Sequence, residues 1–219
     1  MDNEASLIIR NLGRQRYEET WRDMREFTQK RDARTDDEIW LLEHEPVFTQ
    51  GLAGKPEHML SRSSLIPLVA SDRGGQITYH GPGQLIAYVL IDIKRKGFGV
   101  REFVTLLEDS VIELVADFDI AARARRDAPG VYVEGRKIAS LGLRVRRGCS
   151  FHGIALNLAM DLAPFEQINP CGYAGMQMTQ LSELLPESRM PSLESLLSKY
   201  ATLLARKLGY AENCFHYVD

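Results

Sequence analysis

Residues 130–145, GVYVEGRKIASLGLRV, place two apolar runs on either side of a turn at Glu134, Gly135 and Arg136. Two runs separated by a short glycine-containing turn pair as an antiparallel hairpin. A sheet built only from parallel strands and crossover helices does not accommodate such a pair, so the fold class narrows at once. Further strands are expected at residues 6–13 (SLIIRNLG), 39–42, 65–70, 85–93 (LIAYVLIDI, between Gly83 and Gly97) and 151–161 (FHGIALNLAMD). The spacing predicts 39–42 and 65–70 as short buried strands.

Helical spacing marks three longer segments. Tyr17, Trp21, Met24 and Phe27 recur through a charged stretch as an amphipathic surface helix. Phe103, Leu107, Val111, Leu114 and Phe118 form the apolar stripe of a helix over 100–118, opposite Glu102, Glu108, Asp109 and Glu113. Leu193, Leu196, Tyr200 and Leu203 do the same over 192–208, where Gly209 terminates the helix. A further helix is expected to begin near Thr179. These elements predict an α+β domain with a mixed, largely antiparallel sheet flanked by helices.

A chain of 219 residues with 44% hydrophobic content can bury one substantial core. No repeat, low-complexity tract or linker interrupts it, so residues 1–219 are read as a single domain. Twenty-seven basic against thirty acidic residues give a formal charge of −3, which argues against a dedicated nucleic-acid binder. The N-terminus lacks the basic start and apolar middle of a secretory signal, and no apolar run approaches the ~20 residues that span a bilayer. A cytoplasmic protein with no membrane contact is expected. Cys149, Cys171 and Cys214 are too few and too dispersed for a disulfide framework.

Four segments carry more glycine and polar residues than packing needs, and read as loops: SDRGGQITYHGPGQ (71–84), GRKIASLG (135–142), FHGIALN (151–157) and INPCGYAG (168–175). Their glycines permit positive φ and close approach of the main chain to a ligand. Neither the P-loop pattern nor the dinucleotide GxGxxG is present, so no nucleotide site is indicated. His80 and His152 sit beside glycines, but no tight pair of metal ligands supports a metal. Cys149 and Cys214 read as small buried apolar residues. Cys171 follows a proline and precedes a glycine, in a turn that can expose its thiol.

A cysteine reacts as thiolate, and a nearby lysine or histidine favours that form. Strand alternation turns Lys137 and Ala139 to one face and Ile138 to the other. Lys137 therefore reads either as an inward base for Cys171 or as a solvated hairpin lysine, and residue pattern alone leaves both open.

Taken in order, RGGQITYHGPGQLIAY, GRKIASLGLRV, HGIALN and NPCGYAG resemble the lipoyl(octanoyl) transferases, also called lipoate-protein ligase B, over about residues 38–185. The resemblance implies the biotin/lipoate protein ligase catalytic core. It also implies a two-step acyl transfer with no cofactor. Cys171 would take an octanoyl group from octanoyl-acyl-carrier protein as a thioester. Lys137 would hold the thiol as thiolate and then deprotonate the acceptor lysine of a lipoyl domain, in 2-oxoacid dehydrogenase complexes or the glycine cleavage H protein. By the same resemblance Arg73, Gly74, Gly75, Gln76, Ile77, Thr78, Tyr79 and His80 line the substrate pocket. Ser140, Leu141, Gly142, Gly153, Ile154 and Ala155 complete it. An ATP-dependent lipoate or biotin protein ligase is the alternative on the same core. RARR (123–126) and RVRR (144–147) are the densest basic runs, fit either to dock acidic carrier domains or to guard a solvated sheet edge.

Overall fold

The computed structural model describes residues 6–61, 64–211 and 214–218. Its main sheet has eight strands: β1 (Leu7–Gln15), β2 (Asp37–His44), β6 (Gln84–Leu90), β7 (Arg123–Ala124), β8 (Gly130–Val133), β9 (Arg136–Arg146), β10 (Cys149–Asn157) and β11 (Phe215–Val218). The spatial order is β11-β1-β2-β6-β10-β9-β8-β7. β1 runs parallel to β11 and β2, and every other pairing is antiparallel. A second sheet orders β4 (Leu68–Ala70), β3 (Val47–Gln50) and β5 (Ile77–His80), with β3 parallel to β4 and antiparallel to β5. The α+β fold with a mixed, largely antiparallel sheet is therefore observed.

Alternation along the central strands sends Ile39 and Leu41, Leu85, Ala87 and Val89, and Ile154 and Leu156 to one face. The helices α2 (Val100–Ala116) and α4 (Leu193–Lys207) cover that face with Phe103, Leu107, Val111, Leu196, Tyr200 and Leu204. Ser192 caps α4 by accepting from the N–H of Ser195, and Gly209 follows it at φ +77°. On the opposite face Trp40, Leu42, Ile86, Tyr88, Leu90 and Ala155 meet Met24 of α1 (Tyr17–Lys30). The smaller sheet covers the rest of that side, and Phe48, Ile77, Tyr79 and Phe165 form its own apolar cluster.

Several expectations need correction. Residues 65–70 are not a buried strand: Leu65 is fully exposed, and only 68–70 form an outer strand, because the small sheet ends there. Segments 135–142 and 151–157 lie in the strands expected there, β9 and β10; segment 71–84 is irregular except for β5 and Gln84, and 168–175 holds no strand. The helix expected to 118 stops at Ala116, and Asp119 turns the chain away at φ +63°. Near Thr179 only one turn of helix forms, α3 (Leu181–Leu184). Cys149 is buried as expected, but Cys214 is only partly so.

Lys137 does not share a face with Ala139 as alternation predicts. Register places Val131 opposite Ala139 but Tyr132 opposite Lys137, so Ile138 is an extra residue in the ladder. Such a bulge flips the phase of everything before it. Ile138 and Ala139 both enter the helix-covered core, and Lys137 turns to the other face beside Tyr132, whose ring centre lies 5.4 Å from Nζ.

Candidate active site

The slot lies between the main sheet and the small one. Register aligns Ile86, Ala155 and Ser140 in one row across β6, β10 and β9, and Tyr88, Gly153 and Gly142 in the next. Small residues on β10 and β9 leave a hollow there, and Arg73, Gly75, Gln76 and Thr78 roof it. The space in and around the slot, open mouth included, is about 460 Å³. Gly142 makes the close approach possible: a Cβ there would stand 3.0 Å from the carbonyl oxygen of Gly74 and 3.3 Å from Cδ of Arg73. The Gly74 N–H donates to the carbonyl of Leu143 at 2.8 Å and ties the roof to β9.

At one end of the slot, Nζ of Lys137 lies 2.8 Å from Sγ of Cys171. Lys137 is 0% exposed, and among the described residues no carboxylate pairs with it. Two backbone features create the contact. The bulge at Ile138 aims the lysine, and residues 177–179 then add to it as a short parallel bridge. The Lys137 N–H donates to Gln177, and Thr179 N–H donates to Lys137. That bridge draws the loop carrying Cys171 over β9. The loop is anchored again by Asn169 N–H donating to His58 and by the Tyr173 hydroxyl donating to Asp127. Cys171 itself sits at φ +56°, a left-handed conformation rare for a residue with a Cβ and concentrated at functional sites.

Arg73 is buried without a carboxylate partner among the described residues. Its guanidinium donates to Thr49 Oγ1 at 3.0 and 2.9 Å and to the carbonyls of Gly74 and Gln76 at 2.9 and 2.8 Å. Burial holds its pKa below the ordinary value. Beyond it lies a polar aromatic cluster. His80 Nδ1 bonds Gln84 Oε1 at 2.8 Å, and His44 Nε2 bonds the Tyr88 hydroxyl at 2.7 Å. His152, at φ +61°, bonds Asp72 Oδ1 at 3.0 Å. Burial keeps all three histidines neutral to lower pH than usual, His44 down to about 4.

Gln84 Nε2 donates onward to Asn157 Oδ1 at 2.8 Å, and Asn157 Nδ2 to the carbonyl of Thr179 at 2.9 Å. A buried chain of hydrogen bonds thus links His80 to the strand segment that holds Lys137.

Of the residues assigned by resemblance, Arg73, Gly75, Gln76, Ile77, Thr78, His80, Ser140, Leu141, Gly142, Gly153, Ile154, Ala155 and Cys171 line one cavity. Gly74 and Tyr79 do not. Tyr79 alternates away from His80 and packs on Phe48 and Phe165, at ring-centre distances of 5.6 and 5.5 Å. Ile86 and Tyr88 also line the cavity, although they sit in an apolar run that reads as plain core.

The lipoyl protein ligase A/B catalytic domain model matches residues 16–201. An octanoyltransferase of Vibrio cholerae serotype O1 is 60% identical over 201 residues, covering 92% of this chain and 93% of that relative. The chain belongs to the octanoyltransferase family of lipoyl protein ligase A/B proteins. It is an acyltransferase. Among solved structures, lipoate-protein ligase A bound with ATP superposes with a TM-score of 0.73 at 12% identity, covering 99% of this chain and 90% of that one. Biotin protein ligase from Aquifex aeolicus gives 0.55 at 12%, covering 93% and 69%. At such identity these two report a shared fold, the biotin/lipoate ligase core.

Proposed function

We propose that this acyltransferase takes the octanoyl group of octanoyl-acyl-carrier protein onto Cys171 and passes it to the lysine of a lipoyl domain. The observation that carries the reading is the contact between Lys137 and Cys171 at the mouth of a mostly apolar slot. An ammonium beside a thiol favours thiolate, the form that attacks a thioester. The sulfur adds to the carbonyl carbon, and collapse expels the carrier's thiolate, which takes a proton from Lys137. The neutral lysine then removes a proton from the acceptor amine as that amine attacks the Cys171 thioester. Cys171 leaves as thiolate, an amide has formed, and the original ion pair is restored.

Only activated acyl groups enter this cycle, so it needs neither ATP nor a cofactor. Residues 1–219 act as one catalytic unit in the cytoplasm; no helix among the described residues is long and apolar enough to cross a membrane. The acceptors are lipoyl domains of 2-oxoacid dehydrogenase complexes and the glycine cleavage H protein. Arg123, Arg126, Arg144, Arg146 and Arg147 are exposed and form no ion pair among the described residues, which suits docking of acidic carrier domains.

Intact-protein mass spectrometry tests the cycle. Mixing with octanoyl-acyl-carrier protein without ATP should add one octanoyl group, absent in Cys171→Ala and discharged by a lipoyl domain. Acceptor octanoylation that instead requires ATP and free octanoate would replace the reading with a ligase.

A further inference from the structure

We infer that Tyr88 is the residue that sets acyl-chain length. The inference rests on the reading that a chain attached to Cys171 lies in the slot, and it names the wall against which that chain ends.

Direction along the slot follows from register. Lys137, and with it Cys171, precedes the row of Ser140, Ala155 and Ile86; the row of Gly142, Gly153 and Tyr88 comes next. Lys137 and Gly142 are five residues apart on β9, roughly 16 Å at ~3.3 Å per residue, room for the lysine side chain and then a medium-length acyl chain. Next come Phe151, paired with Arg144, and Leu90, two residues beyond Tyr88 on β6. None of these lines the cavity, and Leu90 and Phe151 are packed under α1 with Met24 and Trp40. The slot therefore ends at the row of Tyr88.

In that last row two of the three positions are glycine, and neither has room for a side chain. A Cβ on Gly153 would stand 1.9 Å from the carbonyl oxygen of Ala87, and one on Gly142 would meet the roof. Among the positions of that row that line the cavity, Tyr88 supplies the only side chain; Trp40, opposite it on β2, does not line the cavity. Its ring is fixed rather than adaptable. The hydroxyl bonds His44 Nε2 at 2.7 Å, and the edge of His152 stands against it with ring centres 6.0 Å apart. His44 is held in turn by the carbonyl of Gln15 at 3.0 Å. A wall tied at both ends cannot retreat to admit further methylenes, so it discriminates among chains of one chemistry by length.

The test is a competition of hexanoyl, octanoyl, decanoyl and dodecanoyl thioesters for Cys171, read as relative adduct abundance by intact-protein mass spectrometry. Because each variant is scored by a ratio among chains, loss of some folded protein does not alter the result. Tyr88→Ala should move the preference to decanoyl or dodecanoyl, by roughly tenfold or more relative to octanoyl. Tyr88→Phe keeps the ring but frees it from His44, and should broaden the preference by a smaller factor. Tyr88→Trp enlarges the ring that closes the last row and should favour hexanoyl over octanoyl. An unchanged ranking in both Tyr88→Ala and Tyr88→Trp, with wild type loading normally, would overturn the inference. Failure of wild type to load any chain would instead overturn the thioester reading beneath it.

Discussion

A methyl group on Gly130 would stand 2.4 Å from Cε of Lys137 and 2.5 Å from the carbonyl oxygen of Ala139. Gly130 also holds φ at +135°, where other residues are strained. The bare Cα is thus the floor on which the lysine stem lies. Gly130→Ala is expected to cost about 1–3 kcal/mol of stability. It should also slow acyl loading of Cys171 by more than about tenfold, since catalytic groups tolerate little displacement. Urea unfolding and single-turnover mass spectrometry would separate the two effects. Normal loading in the folded variant would mean that the lysine position is not critical.

Lys137→Ala should lower the rate of Cys171 loading and of transfer by roughly 10²–10⁴-fold, the usual contribution of a positioned acid-base group. Lys137→Arg should not restore it, because a guanidinium does not give up its proton. Substantial rescue by arginine would show that charge, rather than proton movement, is what the site needs.

The hairpin turn was legible because Glu134 and Gly135, both at positive φ, leave a local signature; so was α4, which carries its cap residues in sequence. The bulge at Ile138 was not. It arises from how β8 and β9 register against each other, and alternation alone pairs Lys137 with Ala139 on one face. β3 and β5 are four residues each, too short for periodicity to separate them from the glycine-rich turns around them. Tyr88 was hidden for the opposite reason. It lies in a continuous apolar run, and only the glycines paired with it on neighbouring strands open a cavity at that point.

The buried histidines make stability depend on pH. His44 takes a proton near 6.5 when unfolded but only near 4 when folded, so the unfolded state gains protons first as pH falls. Stability should therefore be flat above pH 6.5 and drop through the window between 6.5 and 4, by about 3 kcal/mol from His44 alone. His80 and His152 are shifted in the same direction. Urea midpoints across that range should show the decline, and His44→Gln should make it shallower. An identical profile in the variant would assign the acid sensitivity elsewhere.

Asp37 is fully buried and gathers Arg31 at 2.5 Å, Arg95 at 2.9 Å, the Asp92 N–H at 2.8 Å and the Tyr210 hydroxyl. Removing it strands the Arg31 guanidinium, whose side chain is 2% exposed. Asp37→Ala is expected to cost about 3–5 kcal/mol in chemical denaturation. A loss under about 1 kcal/mol would mean that water reaches the arginines.

Arg144 and Arg146 project from the exposed end of β9. Reversing both to glutamate should weaken loading from the acidic carrier protein and flatten its dependence on salt, with a smaller effect on a short octanoyl thioester. An unchanged salt dependence would reduce the two arginines to guards of a sheet edge.

The short bridge of residues 177–179 to Lys137 has a kinetic meaning. Lys137 and Cys171, base and nucleophile of the proposed cycle and 34 positions apart in the chain, share these two main-chain hydrogen bonds among their fastenings, so peeling that segment away loosens both together. The exchange rates of the Lys137 and Thr179 amides should therefore report how often the proposed pair comes apart.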